Sequence, residues 1–197
     1  MIDDDQLMVK IQEGDPAAFE ELVERHQGPL INFFYTNSRD RQLAEDLTQE
    51  TLLRVYDQGW DYLPRGKFRG WMFRIARNLL IDTVRRRSHD ALVKAVHSRN
   101  DEQSLITGIV ADVISPEEAA NHRELAGMVD HLLIELPEEQ RLTFTLHHFA
   151  GLPLGEIAEI LESTVPTTKS RLRLAREKLR DQLRARGIEP ITPPPTG

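Results

Sequence analysis

The sequence predicts an all-α protein with two small helical domains joined by a linker, the C-terminal one a helix-turn-helix. Apolar residues recur at helical spacing along most of the 197 residues, and no run alternates apolar and polar residues between hairpin turns. Prolines beside N-cap residues divide the chain into short helical segments. We place the first domain at residues 1–90, the linker at 91–120, the second domain at 121–187 and a disordered proline-rich tail at 188–197.

Four helices are predicted in the first domain. An Asp-Pro pair at residues 15–16 is typical of a helix start, with an N-cap followed by proline. A second segment is expected after Pro29, and a third from about Arg41 to Gln58. Proline and glycine interrupt the helix at residues 62–67. The fourth helix is predicted over roughly Arg69 to Arg87.

Helix starts and ends are predicted in the second domain from the same kinds of residue. A Ser-Pro pair at residues 115–116 predicts one helix start, and a second helix is expected from about Pro137 to Gly151. Apolar residues at positions i, i+3, i+4 and i+7 then predict a short helix over 154–161. A longer helix is expected from about Pro166. A short amphipathic helix, a tight turn and a basic helix are typical of a helix-turn-helix.

Positive charge is concentrated in two windows of an otherwise acidic chain. Residues 65–87 hold eight basic residues and one acid, and residues 166–187 hold eight and two. Residues 1–64 sum to −9 and residues 88–165 to −10, within a total of −7. This pattern predicts two DNA contacts on a body that would not coat DNA by itself. It favours a protein that a partner delivers to DNA.

Composition excludes several classes of protein. There is no cysteine, which rules out disulfides, cysteine-ligated zinc and thiol catalysis. The start of the chain has no signal-peptide pattern, and no apolar run approaches the length of a membrane span. The seven histidines show no metal-ligand spacing, and there is no phosphate-binding glycine loop. We therefore expect a soluble, cytoplasmic protein without catalytic activity, metal or cofactor.

The second basic window suggests contact with duplex DNA. When Leu172, Ala175 and Leu179 face inward, basic side chains lie on the outer surface of the helix, and the hydroxyl residues lie at its N-terminus. Lysine and arginine suit guanine edges and phosphates, and hydroxyls can reach bases or backbone. The alternative is an ordinary solvent-facing charged helix.

The first basic window suggests contact with single-stranded DNA. Arg74, Arg77, Asn78 and Arg85 form a polar stripe, and Phe68 and Trp71 lie at the helix start. Positive charge can follow a DNA backbone while aromatic rings stack on unpaired bases. The alternative is that both rings belong to the core.

A third candidate surface is acidic. Asp46, Gln49 and Glu50 share one face of the third helix, close to Arg54. The face could bind a basic partner, or it could be a solvated surface in which Glu50 pairs with Arg54 at i, i+4.

The motifs resemble the extracytoplasmic-function sigma factors of the sigma-70 family. The resemblance to their −10-binding domain is carried by Phe19-Glu20-Glu21-Leu22, by Ala44-Glu45-Asp46-Leu47-Thr48-Gln49-Glu50-Thr51 and by residues 68–78 with Asp82, Arg85 and Arg86. The resemblance to their −35-binding domain is carried by residues 136–141, 154–161, 168–172 and 175–179. These motifs occur in the family's order and cover all but the linker and the tail.

The resemblance implies a role for each surface. Asp46, Gln49 and Glu50 would bind the clamp helices of the polymerase β′ subunit. The −10 element would be captured, melted and read by Arg65, Lys67, Phe68, Arg69, Trp71, Arg74, Asn78, Asp82, Arg85 and Arg86. The −35 major groove would be read by Thr167, Thr168, Lys169, Ser170, Arg171, Arg173 and Arg176. Residues 88–120 would thread the polymerase toward its RNA exit path.

One position departs from the family pattern. Pro166 stands where the family usually has a glycine-threonine start of the recognition helix. Proline is compatible with the first turn of a helix, but it removes a backbone N–H that could bind phosphate.

These observations lead to the hypothesis of a dissociable initiation factor. Its expected partners are core RNA polymerase, through the β′ and β subunits, promoter DNA and an anti-sigma protein. Three alternatives are a stand-alone helix-turn-helix regulator that binds DNA as a dimer, an adaptor whose acidic domain sequesters a partner, and a metal-dependent enzyme.

Overall fold

The computed structural model describes residues 2–93, 129 and 131–187, and their side chains except those of 88–93. The helices are α1 (Asp4–Gln12), α2 (Pro16–Ser38), α3 (Arg41–Asp57), α4 (Phe68–Val93), α5 (Glu138–His148), α6 (Leu154–Ile160) and α7 (Val165–Ala185), with a 3-10 turn at Gly59–Asp61. No strand occurs in the described ranges, which confirms the all-α prediction for them. The predicted tail, most of the linker and the helix start at 115–116 lie outside these ranges.

Helix α1 was not predicted from the sequence, although its start carries a recognisable signal. Asp3 Oδ1 accepts a 2.8 Å hydrogen bond from the Gln6 backbone N–H, and Gln6 Oε1 accepts a 3.0 Å bond from the Asp3 backbone N–H. This reciprocal pair is a capping box, which uses two N–H groups that a helix start leaves unbonded. Leu7 and Met8 then bury α1 against the first domain.

Helix α2 corrects the predicted division at Pro29. It is one helix of 23 residues with Pro29 inside it. Proline removes one backbone N–H from the ladder, which usually kinks or ends a helix. Here Leu22 and Leu30 lie on either side of Pro29 and are fully buried, as is Phe33 further along. Because these contacts stabilise both halves of α2, tertiary packing outweighs the local preference of proline.

The first-domain core is built from α1 to α4. Phe33 packs edge-on against Phe34 and Phe73, with ring centroids 5.4 and 5.6 Å apart. Helix α4 contributes Met72 and Phe73 to this core. It begins close to the predicted residue and continues to Val93, three residues past the predicted end of the domain.

In the second domain, α6, the turn at 161–164 and α7 form the predicted helix-turn-helix. Thr164 is the N-cap of α7 and accepts a hydrogen bond from the Thr167 N–H, with Pro166 in the first turn. In the turn, Glu162 has φ of 50°, in the left-handed region that favours glycine. Leu172, Ala175 and Leu179 are buried, as the periodicity predicts.

The two domains pack directly against each other. One apolar cluster runs from the first domain into α5, α6 and the segment between them, where it includes Leu146, Leu152 and Ile157. A smaller cluster joins α7 to residues 132–136. Asn37 of α2 also donates a 3.2 Å hydrogen bond to Thr145 Oγ1 of α5. The DNA-binding candidates of both domains are therefore held on one body.

Candidate nucleic-acid and polymerase interfaces

Polar and basic side chains form a continuous surface along α4. Lys67, Trp71, Arg74, Asn78 and Arg85 recur at intervals of three, four and seven residues, which places them on one side of the helix. We call this set the α4 stripe. Its members are exposed except Trp71, which is partly buried, and Asp82 and Arg86 are exposed beside it. The structure thus brings the predicted −10 residues from Trp71 onward together on one region of the α4 surface, whereas Phe68 and Arg69 at the start of α4 face elsewhere.

The loop that precedes α4 is fastened to α1. The Tyr62 hydroxyl donates a 2.6 Å hydrogen bond to Asp5 Oδ1, and the Gly66 backbone N–H donates to Asp5 Oδ2. Gln12 Nε2 donates to the Gly59 and Tyr62 carbonyl oxygens at 2.7 and 3.0 Å. Burial, followed by the Asp5 carboxylate, raises the pKa of Tyr62 well above its usual value, so the phenol stays protonated. Sequence reasoning missed Asp5 and Gln12, because their partners lie about fifty residues away.

The two aromatic residues at the start of α4 have different environments. Phe68 is only 3 % exposed and packs against Tyr62 with ring centroids 5.8 Å apart. Phe68 therefore belongs to the core. Trp71 lies 4.9 Å from the Tyr62 ring and lines an open cleft of about 320 Å³ together with Arg65 and Lys67. The opposite side of this cleft is formed by α6.

Arg69 points away from the α4 stripe. Its Nε lies 3.5 Å from Asp4 Oδ2, and Asp4 also receives a 3.0 Å hydrogen bond from Arg25 Nη1. His26 Nε2 lies 3.0 Å from Asp4 Oδ2. Burial opposes ionisation of Asp4, but the neighbouring His26, Arg25 and Arg69 outweigh it and lower its pKa. Arg69 thus stabilises the junction of α1, α2 and α4.

The start of α7 carries the predicted −35 residues, and most of them face solvent. Thr167, Lys169, Ser170 and Arg176 are exposed, and the side chain of Arg173 is 63 % exposed. Two residues of the predicted set, in the same turns of α7, do not face solvent in this way. Thr168 is fully buried and donates a 3.0 Å hydrogen bond to the Thr164 carbonyl oxygen. Arg171 is 20 % exposed and pairs with Glu139 of α5.

The acidic candidate surface on α3 extends further than the sequence motif suggested. Asp46 and Gln49 are exposed and Glu50 is partly exposed, with Glu50 Oε1 2.8 Å from Arg54 Nε. Further along the sequence, three large apolar side chains are also exposed: Leu53, Tyr56 and Trp60, the last being 77 % exposed. Leu53, Tyr56 and Trp60 follow Gln49 at intervals of three to four residues, and this spacing is the sequence pattern that could have predicted the larger surface.

No group of three or more histidine and acidic side chains in the described ranges could hold a metal ion. Among those same residues, no helix is long and apolar enough to span a membrane. The surfaces that stand out in this part of the chain are a basic stripe beside an aromatic cleft, the exposed basic start of α7, and an acidic and apolar ridge.

Two protein-family descriptions match the chain. "Sigma-70 region 2" matches residues 22–90, and "Sigma-70, region 4" matches residues 126–179. The first match contains α3, the loop and most of α4, and the second contains α6, the turn and α7 as far as residue 179. The first match includes the whole of the first basic window, and the second includes residues 166–179 of the second window.

Curated relatives match over nearly the whole chain. The ECF RNA polymerase sigma factor SigW of Bacillus subtilis (strain 168) is 32 % identical over 184 residues, covering 91 % of this chain and 98 % of the relative. The ECF RNA polymerase sigma-E factor of Escherichia coli (strain K12) is 31 % identical over 182 residues, covering 89 % and 92 %.

Solved structures share the fold at lower identity. CnrH in complex with the cytosolic domain of CnrY gives a TM-score of 0.64 at 22 % identity, covering 92 % of this chain and 97 % of CnrH. The sigma factor RpoE from Bartonella quintana, in complex with the anti-sigma factor NepR, gives a TM-score of 0.66 at 22 % identity, covering 84 % and 96 %.

Proposed function

The chain belongs to the extracytoplasmic-function sigma factors of the sigma-70 family, non-catalytic proteins that direct RNA polymerase to promoters, and we propose how its surfaces divide that work. Helix α3 binds core polymerase, the α4 stripe and its loop open and read the −10 element, and α7 reads the −35 element. The protein acts in the cytoplasm, where the polymerase is. An anti-sigma protein of the kind bound by the structurally similar factors would control it.

Polymerase binding is assigned to the ridge of Asp46, Gln49, Glu50, Leu53, Tyr56 and Trp60. Carboxylates at one end give electrostatic complementarity to a basic partner and accelerate encounter. The apolar side chains at the other end supply surface whose burial stabilises the complex. Trp60 is the strongest candidate anchor, because exposed tryptophans are enriched among the residues that dominate binding energy.

Promoter opening is assigned to the α4 stripe. Lys67, Arg74 and Arg85 would follow the phosphates of one strand, and Asn78 can donate to and accept from base edges. A base that leaves the duplex can enter the cleft beside Trp71 and stack there, which is worth about 1–3 kcal/mol per base. That gain offsets the few kcal/mol that unstacking costs. Because α1 and Asp5 already hold the loop, little conformational entropy is lost on binding.

Recognition of the −35 element is assigned to the first turns of α7. Thr167, Lys169, Ser170 and Arg173 are exposed there, and helix N-termini also attract phosphate. Thr168 and Arg171 have structural roles instead: the first bonds within the turn and the second pairs with α5. Pro166 leaves the first turn without one N–H donor, so side chains supply the phosphate contacts near it.

The alignment of basic residues and Trp71 along one side of α4 is the observation that carries this proposal. The direct test is transcription by core polymerase with and without the purified chain, on a pool of genomic fragments from its source. Discrete transcripts that require both components, and that are lost with Trp71→Ala, would support the assignment. Transcripts that survive Trp71→Ala and the loss of Arg74 would contradict it, and tight promoter binding without polymerase would favour a stand-alone regulator.

A further inference from the structure

Helix α5 ends beside the exposed side of α7. In the last turn of α5, His148 Nε2 lies 3.4 Å from Arg176 Nη2. A guanidinium group can only donate hydrogen bonds, so the imidazole accepts through Nε2 and carries its ring proton on Nδ1. Partial burial, the Arg176 cation and the neighbouring His147 together lower the pKa of His148 to about 4, which keeps the ring neutral. Both helices belong to the second domain, so this contact does not depend on how the two domains are arranged.

Packing fixes the position of both partners. His148 stacks on Phe144, one turn earlier in α5, with ring centroids 4.3 Å apart. Phe144 in turn packs against the apolar cluster that contains Ala175 and Leu179 of α7. Arg176 directly follows Ala175 in the chain. The backbone that carries each partner is therefore anchored in the same cluster, and the imidazole has a defined position in the absence of DNA.

Arg176 differs from other arginines of α7 in the kind of group that it contacts. Three of them pair with carboxylates: Arg171 with Glu139, Arg173 with Glu177 and Arg180 with Asp181. Among the residues that the structure describes, no carboxylate lies within ion-pair distance of Arg176. A carboxylate orients an arginine and also compensates its charge, whereas a neutral imidazole orients it and leaves the charge uncompensated. Arg176 is exposed, so its other N–H groups remain available to an anion.

The position of Arg176 along α7 indicates which anion it would meet. Arg176 follows Lys169 and Arg173 at intervals of seven and three residues, which places the three cations on one side of the helix. It lies about 10 Å further along the helix axis than Lys169. In a helix-turn-helix the N-terminal residues of the second helix reach the base edges. An arginine two turns later is suited to a backbone phosphate, which its planar group can bind through two N–H donors.

We propose that His148 is a positioning residue for the −35 contact: its neutral imidazole holds the Arg176 guanidinium toward a backbone phosphate of the −35 duplex. This inference rests on the proposed role of α7. It adds a residue of α5 to a surface that is otherwise confined to α7, and it gives Arg176 a phosphate contact in place of a base contact. Because the guanidinium is oriented before DNA arrives, less side-chain entropy is lost when the contact forms.

Nuclear magnetic resonance of the free chain tests the contact itself. In a proton–nitrogen correlation spectrum of the histidine rings at neutral pH, we expect His148 to show the tautomer protonated at Nδ1. Comparison with the spectrum of His148→Gln identifies the signals of this ring. Arg176→Ala should shift the Nε2 signal of His148, because it removes the hydrogen bond that Nε2 accepts.

A double-mutant cycle tests the role in DNA binding. The probe is a fluorescein-labelled duplex that carries the −35 element of a transcript found in the transcription assay and ends before the −10 element, and the protein is core polymerase assembled with each variant. Arg176→Ala should weaken binding about five- to tenfold and lower the salt dependence by about one phosphate contact. His148→Ala should weaken binding about three- to fivefold alone and should add no further loss to Arg176→Ala.

Two further variants separate positioning from stability. His148→Gln keeps a neutral acceptor near the position of Nε2, so it should retain most of the affinity and the full salt dependence. His147→Ala removes the adjacent imidazole, whose Nδ1 donates a 3.1 Å hydrogen bond to the Leu152 carbonyl oxygen. We expect His147→Ala to lower the melting temperature and to leave duplex binding unchanged.

Several results would overturn the inference. A His148 ring protonated at Nε2 would show that the contact with Arg176 does not form. Additive losses in the cycle, or equal losses for His148→Ala and His148→Gln, would show that His148 does not act through Arg176. A lower salt dependence in His148→Gln would mean that a protonated imidazole contacts phosphate directly.

Arg173→Ala distinguishes failure of this inference from failure of the proposed function. If Arg173→Ala weakens duplex binding while His148→Ala does not, the positioning role is wrong and the −35 assignment of α7 stands. If neither substitution weakens binding, α7 does not contact the −35 element, and the role of His148 is wrong with it.

Discussion

The Tyr62 hydroxyl donates a 2.6 Å hydrogen bond to Asp5 Oδ1, and this bond joins the first helix to the loop that leads into α4. The two residues are 57 positions apart in the chain. Asp5 also accepts from the Gly66 backbone N–H, so one carboxylate fixes both ends of a short loop. Helix α1 therefore holds the loop next to the surface that we propose reads the −10 element, although it contributes no side chain to the α4 stripe.

Replacing Asp5 with alanine should impair promoter opening more than promoter binding. The substitution removes two hydrogen bonds and leaves the buried Tyr62 hydroxyl without its acceptor, which should lower the free energy of unfolding by about 1–2 kcal/mol. Urea unfolding measures the stability, and 2-aminopurine fluorescence at the −10 element measures opening with polymerase. Tyr62→Phe is the matched variant: it removes only one bond and should give a smaller defect in opening. Equal opening by Asp5→Ala and the unmodified chain would refute the proposed role of the loop.

Two arginines in α7 should respond differently to substitution. Arg173 is exposed and its only described partner is Glu177, one turn away, whereas Arg171 pairs with Glu139 of another helix. We expect Arg173→Ala to weaken −35 duplex binding and to reduce the salt dependence by about one phosphate contact. Arg171→Ala should mainly lower the melting temperature. Fluorescence anisotropy across a salt series and thermal unfolding separate the two effects, and the reverse assignment would contradict the structure.

Reversing the charge of Asp46 should weaken the complex with core polymerase. Asp46 is exposed at the acidic end of the α3 ridge, and Asp46→Lys would place a cation against the basic partner that we propose. Glu24 of α2 is also an exposed acid, so Glu24→Lys makes the same change in net charge away from the ridge. In a competition assay for core polymerase, Asp46→Lys should lose at least tenfold in affinity and Glu24→Lys little. Similar losses for both would indicate a non-specific effect of net charge.

The backbone of Glu162 offers a separate test of what its side chain does. Its φ of 50° is strained for any residue except glycine, by roughly 1 kcal/mol. Glu162→Gly should therefore stabilise the turn locally, while it removes the carboxylate that pairs with Arg77. We expect the melting temperature to stay equal or rise, while single-stranded DNA binding by the free chain increases. A fall in both quantities would mean that the side chain serves stability alone.

The sequence predicted the parts of this structure that depend on local pattern. Apolar spacing placed α3, α4 and α6 to within about two residues where they begin and end, apart from the longer end of α4, and it placed the start of α7 equally well. The break at Pro29 was wrong because the buried residues on both sides stabilise α2 more than proline disrupts it. Periodicity has no information on that balance, since it depends on packing partners distant in sequence.

The candidate sites show the same limit. Helical spacing correctly grouped Arg74, Asn78 and Arg85, which lie exposed on one surface of α4, but it also included Arg77, which is partly buried and pairs with Glu162. It could not separate Phe68 from Trp71, because the burial of Phe68 depends on tertiary contacts such as that with the His26 ring of α2. Helical spacing also could not predict the ion pairs that Glu159 of α6 forms with Lys67 and Arg74. These partners belong to the other domain, on the far side of the 91–120 linker in the sequence.

Stability should depend on pH through His26, which is 4 % exposed. Burial lowers its pKa, the positive charges of Arg69 and Arg25 lower it further, and Asp4 only partly compensates. The unfolded chain, with an ordinary histidine pKa of about 6.5, then binds more protons than the folded one as the pH falls below that value. The contribution of His26 to stability is therefore complete above about pH 7.5 and decreases as the pH falls through 6.5 toward its lower folded pKa.

The lowered pKa of Asp4 affects stability in a different pH range. The contribution of Asp4 is present above its ordinary pKa of 3.8 and is lost only as the pH falls below that value. His26→Gln should accordingly lose less stability than the unmodified chain between about pH 7.5 and about pH 5.5, as measured by urea midpoints. His148, whose pKa is lowered to about 4 by partial burial and by Arg176, contributes in both proteins and cancels in the comparison. Identical pH dependence of the two proteins would show that His26 is not held in its neutral form by its surroundings.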